Sequence, residues 1–283
     1  MSLRRLTFVV ALVATAALTL SACKTSSADL AAKNPKAAMA AASKRTADAK
    51  TVRLALAAAT QTGVSVLSGR GAYDFTTKDG RFKLSTVSGS SVEMVITPRT
   101  MYVKLPQPSE GHHWLSLTDA DLARANADPS TAGAQSALLL DNIRDQVDPR
   151  STIDALGENV PGLRKVGTEK IRGVTTTHLR GRVDLSDKAI AAAPSSKRAA
   201  LQRARTTFGP DGYPVDIWLD VGGRVRRVQY VLESGTAGQK TSTTVRLDLF
   251  SFGGDSGIEI PNASDVGDGS ALLHPGTTVA PKN

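Results

Sequence analysis

Apolar residues recur at every second position over long stretches of this chain. Val215, Ile217 and Leu219 alternate with Asp216, Trp218 and Asp220, Val221-Gly222-Gly223-Arg224 turns the chain, and Val228, Tyr230 and Leu232 run back. Successive side chains of a strand point to opposite faces, so this spacing demands strands with one apolar face. Val245, Leu247 and Leu249 repeat the pattern late in the chain, and Val52, Leu54 and Leu56 begin it. Between them, Tyr73 and Phe75 are followed by a hairpin at Lys78-Asp79-Gly80 and by Phe82 and Leu84 on the return. Met94 and Ile96 mark a fourth strand, Thr97-Pro98-Arg99-Thr100 a turn, and Met101 to Leu105 a fifth. Leu163 to Ile171 and Val174 to Leu185 pair through Arg172-Gly173. The sum is about ten antiparallel strands. Gly69 and Gly71, two apart on one face, remove side chains where a sheet can bend sharply.

Helical spacing interrupts the strands. An Ala-rich run from Pro35 to Lys50 has proline near its start, which suits the first turn of a helix. Thr118 with Asp121 makes a capping box with Asp in the Glu/Gln place. Leu138, Leu139, Ile143 and Val147 trace an apolar stripe, and Asp148-Pro149 restarts a short helix that Gly157 can end. Ser195 to Phe208 carries Lys197, Arg198, Arg203 and Arg205 beside Leu201, Ala204 and Phe208. From Asn262 onward the Ser, Asp, Gly, Pro and Thr composition is that of a loose tail. No boundary separates two cores, so residues 34–262 read as one domain and 263–283 as a disordered C-terminal tail.

The N-terminus points to export. Arg4 and Arg5 precede an apolar run from Leu6 to Leu20, then Ser21 and Ala22, then Cys23. This is a basic region, an apolar region and a small-residue cleavage site. The run is too short for a retained span, which needs about 20 apolar residues. Cys23 is the one cysteine in the sequence, and an unpaired thiol in an oxidising compartment calls for a purpose such as acylation. The expectation is a lipoprotein signal peptide over 1–22, diacylglyceryl-modified Cys23 as the mature N-terminus, and a flexible tether over 23–33. The fold must then stand without disulfides. Aromatic residues make up only 4%, so its interior is expected to be aliphatic.

The formal charge of +9 falls by two, to +7, when Arg4 and Arg5 leave with the signal. For an exported chain without Lys or Arg interleaved with aromatics, this excludes nucleic acid and suits anionic lipid. Simple solubility accounts for such a surface equally well.

Chemistry is harder to find. Gly254-Asp255-Ser256-Gly257 copies the surroundings of a trypsin-like nucleophile, but His112, His113, His178 and His274 sit in no matching context, and the tetrapeptide is ordinary turn composition. His112-His113 would point to opposite faces of a strand and cannot chelate one metal, so a loop leading into Trp114 is the better reading. Asp265-Val266-Gly267-Asp268-Gly269 lacks the closing glutamate of a calcium loop. No Walker, dinucleotide or zinc spacing is present. The chain is expected to be a non-enzymatic binder with no cofactor.

Three segments carry a family resemblance. PVDIWLDVGGRVRRVQYVL at 214–232, GTEKIRGVTTTHLRG at 167–181 followed by Val183-Asp184-Leu185, and Asp248 to Phe252 with Ile258-Glu259-Ile260-Pro261 resemble the actinobacterial LppX/LprG lipoproteins, relatives in fold of LolA, LolB and RseB. The resemblance extends over residues 34–266 in element order. It implies an α+β fold: a strongly curved antiparallel half-barrel sheet with helices covering the concave face and an apolar cavity between. It also implies binding of lipid or glycolipid acyl chains, for transport or sensing at the outer face of the cytoplasmic membrane. Candidate wall residues are Leu54, Leu56, Tyr73, Phe75, Phe82, Leu84, Met94, Ile96, Ile217, Leu219 and Leu247; each also reads as ordinary core. Arg198 and Arg205 could meet headgroups or water. Two other readings stay open: an envelope lipoprotein that docks a protein partner without carrying lipid, and an envelope hydrolase.

Overall fold

In the computed structural model the described residues are 34–273, apart from 128–132, 135, 138–139, 141–143, 145–147, 194 and 235–240. Cys23 with the signal and tether, the stripe of Leu138, Leu139, Ile143 and Val147, and His274 lie outside them.

Among the described residues twelve strands form a single sheet, two more than the alternation pattern gives. They are β1 (Thr51–Thr60), β2 (Ser65–Asp74), β3 (Asp79–Thr86), β4 (Ser91–Ile96), β5 (Thr100–Ser109), β6 (His112–Thr118), β7 (Arg164–Ile171), β8 (Val174–Arg182), β9 (Pro214–Asp220), β10 (Val225–Ser234), β11 (Thr241–Phe250) and β12 (Val266–Asp268). Their order is β12-β6-β5-β4-β3-β2-β1-β11-β10-β9-β8-β7. Every pairing is antiparallel except β12 with β6, which makes the sheet mixed. The helices with described bounds are α1 (Pro35–Ala47), α2 (Asp119–Ala125), α3 (Pro149–Asn159), α4 (Asp187–Ala192) and α5 (Ser195–Phe208).

Local chemistry explains the elements. The Asn34 side chain accepts from the Ala37 N–H at 3.0 Å, and Pro35 occupies the first turn of α1. The capping box at Thr118 and Asp121 opens α2. Asp148 accepts from the Arg150 N–H at 2.9 Å and starts α3 with Pro149 behind it. Gly157 does not end α3, which runs two residues further. Arg172 and Gly173, at φ 49° and 80°, turn β7 into β8, the two left-handed residues that a tight hairpin needs.

The main core joins α1, α3 and α5 to one face of the sheet, and a smaller cluster gathers Leu117, Leu122, Ala137 and Leu273 around α2. Ala38, Met39 and Ala42 of α1 and Ile153 and Leu156 of α3 pack with Leu54, Phe82 and Met94 on one side and with Leu179, Ile217 and Val228 on the other. Helix α1 rests on α3, and Leu201 and Ala204 of α5 pack at the border of this core. The result is the expected α+β architecture, an open sheet wrapped around helices on its inner face.

Two expectations need correction. His112 and His113 are not in a loop but begin β6. Residues 263–273 are not a loose tail: Val266, Gly267 and Asp268 pair with Trp114, Leu115 and Ser116. The reason lies in side chains, not composition. Asp265 Oδ1 accepts the His113 backbone N–H at 2.8 Å and meets His113 Nδ1 at 2.5 Å, and the Gly269 N–H donates to the Ser116 carbonyl at 2.8 Å.

Candidate functional site

Strand register decides which of the candidate wall residues share a face. One cross-strand row runs Leu249, Leu54, Gly71, Phe82, Met94, Val103 and Leu115. The next runs Leu179, Ile217, Val228, Leu247, Leu56, Gly69, Leu84 and Val92. A third contains Val52, Tyr73, Gly80 and Ile96. All ten candidates that lie within strands therefore stand on the helix-covered face, Leu219 two positions from Ile217. Phe75 follows β2 directly and meets Tyr73 edge to face at 5.2 Å between ring centres.

Burial falls off along this face on β2 to β5, β10 and β11, whereas Ala58 of β1 and Val215 of β9, in the same row as Tyr230 and Val245, stay buried. Val52, Leu54, Tyr73, Phe82, Met94, Ile96, Ile217, Leu219 and Leu249 are buried. Leu56, Leu84, Val103, Tyr230 and Val245, further along the same strands, are half-buried, and Val92 is 40% exposed. The apolar face is thus closed at one end and over β9, and partly open at the other end of β2 to β5.

The glycines act at this transition. A Cβ on Gly71 would stand 2.4 Å from Phe82 Cδ1 and 2.5 Å from the Arg81 carbonyl oxygen, and one on Gly69 would stand 2.5 Å from Leu84 Cδ2. Phe82 and Leu84 therefore lie across the space that side chains on β2 would fill. Beside them is a void of about 20 Å³ lined by Leu54, Leu56, Phe82, Leu84 and Leu247. A space of that size admits a single water-sized guest.

Polar groups on this side are few and held neutral. Burial, then the charge and hydrogen bond of Asp148, push the Tyr73 hydroxyl well above its ordinary range. Burial also pushes the Tyr213 hydroxyl up, and burial with the neighbouring Tyr213 pushes Tyr230 up to about 12. The Tyr213 and Tyr230 rings lie 5.6 Å apart. Tyr230, Val103 and Val245 were absent from the candidate wall, although the same every-second-residue parity assigns them to it.

The outer face of the sheet is polar. His178 lies between Glu169 and Asp216, with Nδ1 to Glu169 Oε1 at 2.8 Å and Nε2 to Asp216 Oδ1 at 2.6 Å, and stacks on Trp218 at 4.3 Å. Among the described residues no group of three His, Cys, Asp or Glu side chains is arranged to hold a metal. Ser256 sits on the loop after β11, where its hydroxyl accepts from the Ile258 N–H at 3.4 Å. Asp265 and Asp268 serve as turn acceptors, to His113 and Ser270. No described helix is long and apolar enough to cross a membrane.

Fold and site together define a half-open sheet that offers an aliphatic surface beneath helices. No family model matches the chain. An uncharacterized 31.2 kDa protein of the rplA-rplJ intergenic region of Streptomyces griseus is 26% identical over 170 residues, 59% of this chain and 51% of that protein. The chain spans about half the length of that relative. Among solved structures, Mycobacterium tuberculosis lipoprotein LppX matches at 14% identity and TM-score 0.47, over 79% of this chain and 99% of LppX. LprF from Mycobacterium bovis matches at 16% and 0.46, over 82% and 97%. MucB in complex with MucA matches at 14% and 0.32, over 78% and 58%. LppX and LprF belong to the LppX/LprG lipoproteins that the hairpin motifs resemble.

Proposed function

We propose that the chain is a non-enzymatic lipoprotein, anchored through Cys23 at the outer face of the cytoplasmic membrane, that binds acyl chains of lipids or lipidated molecules against the helix-covered face of its sheet. The observation that carries this reading is the graded opening of that face. A folded domain ordinarily closes its apolar surface on all sides. Here Leu56, Leu84 and Val92 continue the core pattern on β1, β3 and β4 to where cover thins. Acyl tails offer nothing to hydrogen-bond, so aliphatic walls are the fitting lining.

The void of about 20 Å³ beside Phe82 and Leu84 is far smaller than an acyl chain. Entry therefore requires these side chains, or the segments above them, to move outward as the tail slides in from the open end. The test is to purify the full-length protein from membranes, wash it into neutral detergent, extract it with organic solvent and analyse the extract by mass spectrometry. A stoichiometric co-purifying lipid is expected. An empty extract, together with no quenching or shift of an added fluorescent fatty acid, overturns the proposal. Mass spectrometry of the same native protein tests the anchor: an unmodified Cys23 refutes it.

A further inference from the structure

On the face of the sheet opposite the helices, a depression of about 410 Å³ lies over β1, β2 and β3. Register gathers four cations around it. Arg53 and Arg81 flank Ala72 in one cross-strand row, and Arg70 stands directly opposite Lys83 in the next. Phe250, Ser256 and Gly257 complete its wall. Glu93, the one carboxylate among the lining residues, is committed: Arg81 donates to its Oε1 through Nε at 2.9 Å and Nη2 at 2.6 Å, and Lys104 donates to Oε2 at 3.3 Å. Arg53 gives one N–H to the Asp255 carbonyl at 3.2 Å. The exposed Glu259 stands 3.9 Å from Arg81, and the Asp255 carboxylate accepts from the Gly257 N–H at 2.9 Å.

Like charges placed directly opposite on neighbouring strands destabilise a sheet. Lys83 also stands directly opposite Glu93 on β4, but the Glu93 oxygens are taken by Arg81 and Lys104, so a bound anion would relieve the repulsion between Arg70 and Lys83. We infer that this depression binds a phosphate group, carried either by a free phosphate ester or by a lipid headgroup. Guanidinium forks match phosphate oxygens and the Lys83 ammonium adds a point charge. Ala72 and Phe250 provide an apolar floor beside them, and the volume leaves room for a substituent on the phosphate. The site is separate from the lipid-binding face, and its test does not depend on that reading.

The test uses the full-length chain in neutral detergent, titrated calorimetrically with inorganic phosphate, with glycerol 3-phosphate, and with mixed micelles containing phosphatidylglycerol or, as the zwitterionic control, phosphatidylcholine. Saturable binding of at least one probe with net negative phosphate charge, above that of the zwitterionic control, is expected, weakened tenfold or more by Arg70→Ala with Lys83→Ala. Preference for the soluble esters assigns the free phosphate source, and preference for phosphatidylglycerol micelles the headgroup; either supports the site. Arg70→Glu separates binding from folding: it sets a carboxylate opposite Lys83 on one side and Ala55 on the other, so it should keep or raise the melting temperature while abolishing binding. Absence of binding by every probe, or binding unchanged in these variants, overturns the inference.

Discussion

The Thr46 hydroxyl accepts the backbone N–H of Val225 at 3.0 Å while donating to the Ala42 carbonyl at 2.7 Å. Thr46 is fully buried, so this one oxygen ties the end of α1 to the start of β10 out of reach of water. Thr46→Val keeps the shape and strands the Val225 N–H. A loss of about 1–3 kcal/mol is expected from leaving a buried donor unsatisfied, read by chemical denaturation, with Thr46→Ser retaining most of the stability.

Gly71→Ala should be costly although it adds one methyl group. The new carbon would stand 2.5 Å from the Arg81 carbonyl oxygen, which is backbone, so β2 and β3 must separate. Overpacking of this kind costs about 1–3 kcal/mol. Gly167→Ala, in open space on β7, is the control and should leave the melting temperature nearly unchanged.

Leu56→Trp and Leu84→Trp would fill the half-open end of the inner face. Both positions have room towards solvent, so folding should survive while acyl chains are excluded. The expected result is a several-fold drop in co-purifying lipid at unchanged circular dichroism. Retention of lipid in both variants would place the acyl chain elsewhere.

The inner tyrosines set an alkaline limit. Burial raises the Tyr230 pKa from 10.0 to about 12, so the folded state keeps the proton that the unfolded chain releases. That contribution is complete below pH 10 and is lost as pH rises through about 12. Denaturation followed between these values should show falling stability, and Tyr230→Phe should flatten part of the slope.

Glu93 works at the other end of the scale. Desolvation raises its pKa, but hydrogen bonds from Arg81 and then Lys104 outweigh it and hold the carboxyl below its ordinary 4.5. Its stabilisation is present above that value and lost as pH falls through the depressed one. Glu93→Gln should therefore reduce the acid sensitivity of β3 and β4, measured by amide exchange.

Most of the sheet is legible in the sequence because a half-buried strand must alternate. Leu54, Phe82, Met94 and Ile217 announce their face without any tertiary information. Strand β6 is hidden because His112 and His113 break the apolar rhythm at its start. Strand β12 is hidden because Val266-Gly267-Asp268 is turn composition, and only its pairing with Trp114 to Ser116 makes it a strand. The lining of the inner face is legible by parity, but the fall in burial from Leu54 to Leu56 is not, since it depends on what packs over each position. The cationic depression is similarly invisible: Arg70 and Lys83 are separated by a hairpin whose register alone sets them opposite each other.

The strand order also fixes a schedule. β1 pairs on one side with β2, its neighbour in sequence, and on the other with β11, near the far end of the chain. The sheet therefore has a central seam that cannot zip until almost the whole polypeptide is available. Two half-sheets can assemble beforehand, but α1 has both of its walls only once that seam shuts. A chain nicked between β6 and β7 should yield two fragments that recombine along β1 and β11, with β12 adding a short second join to β6.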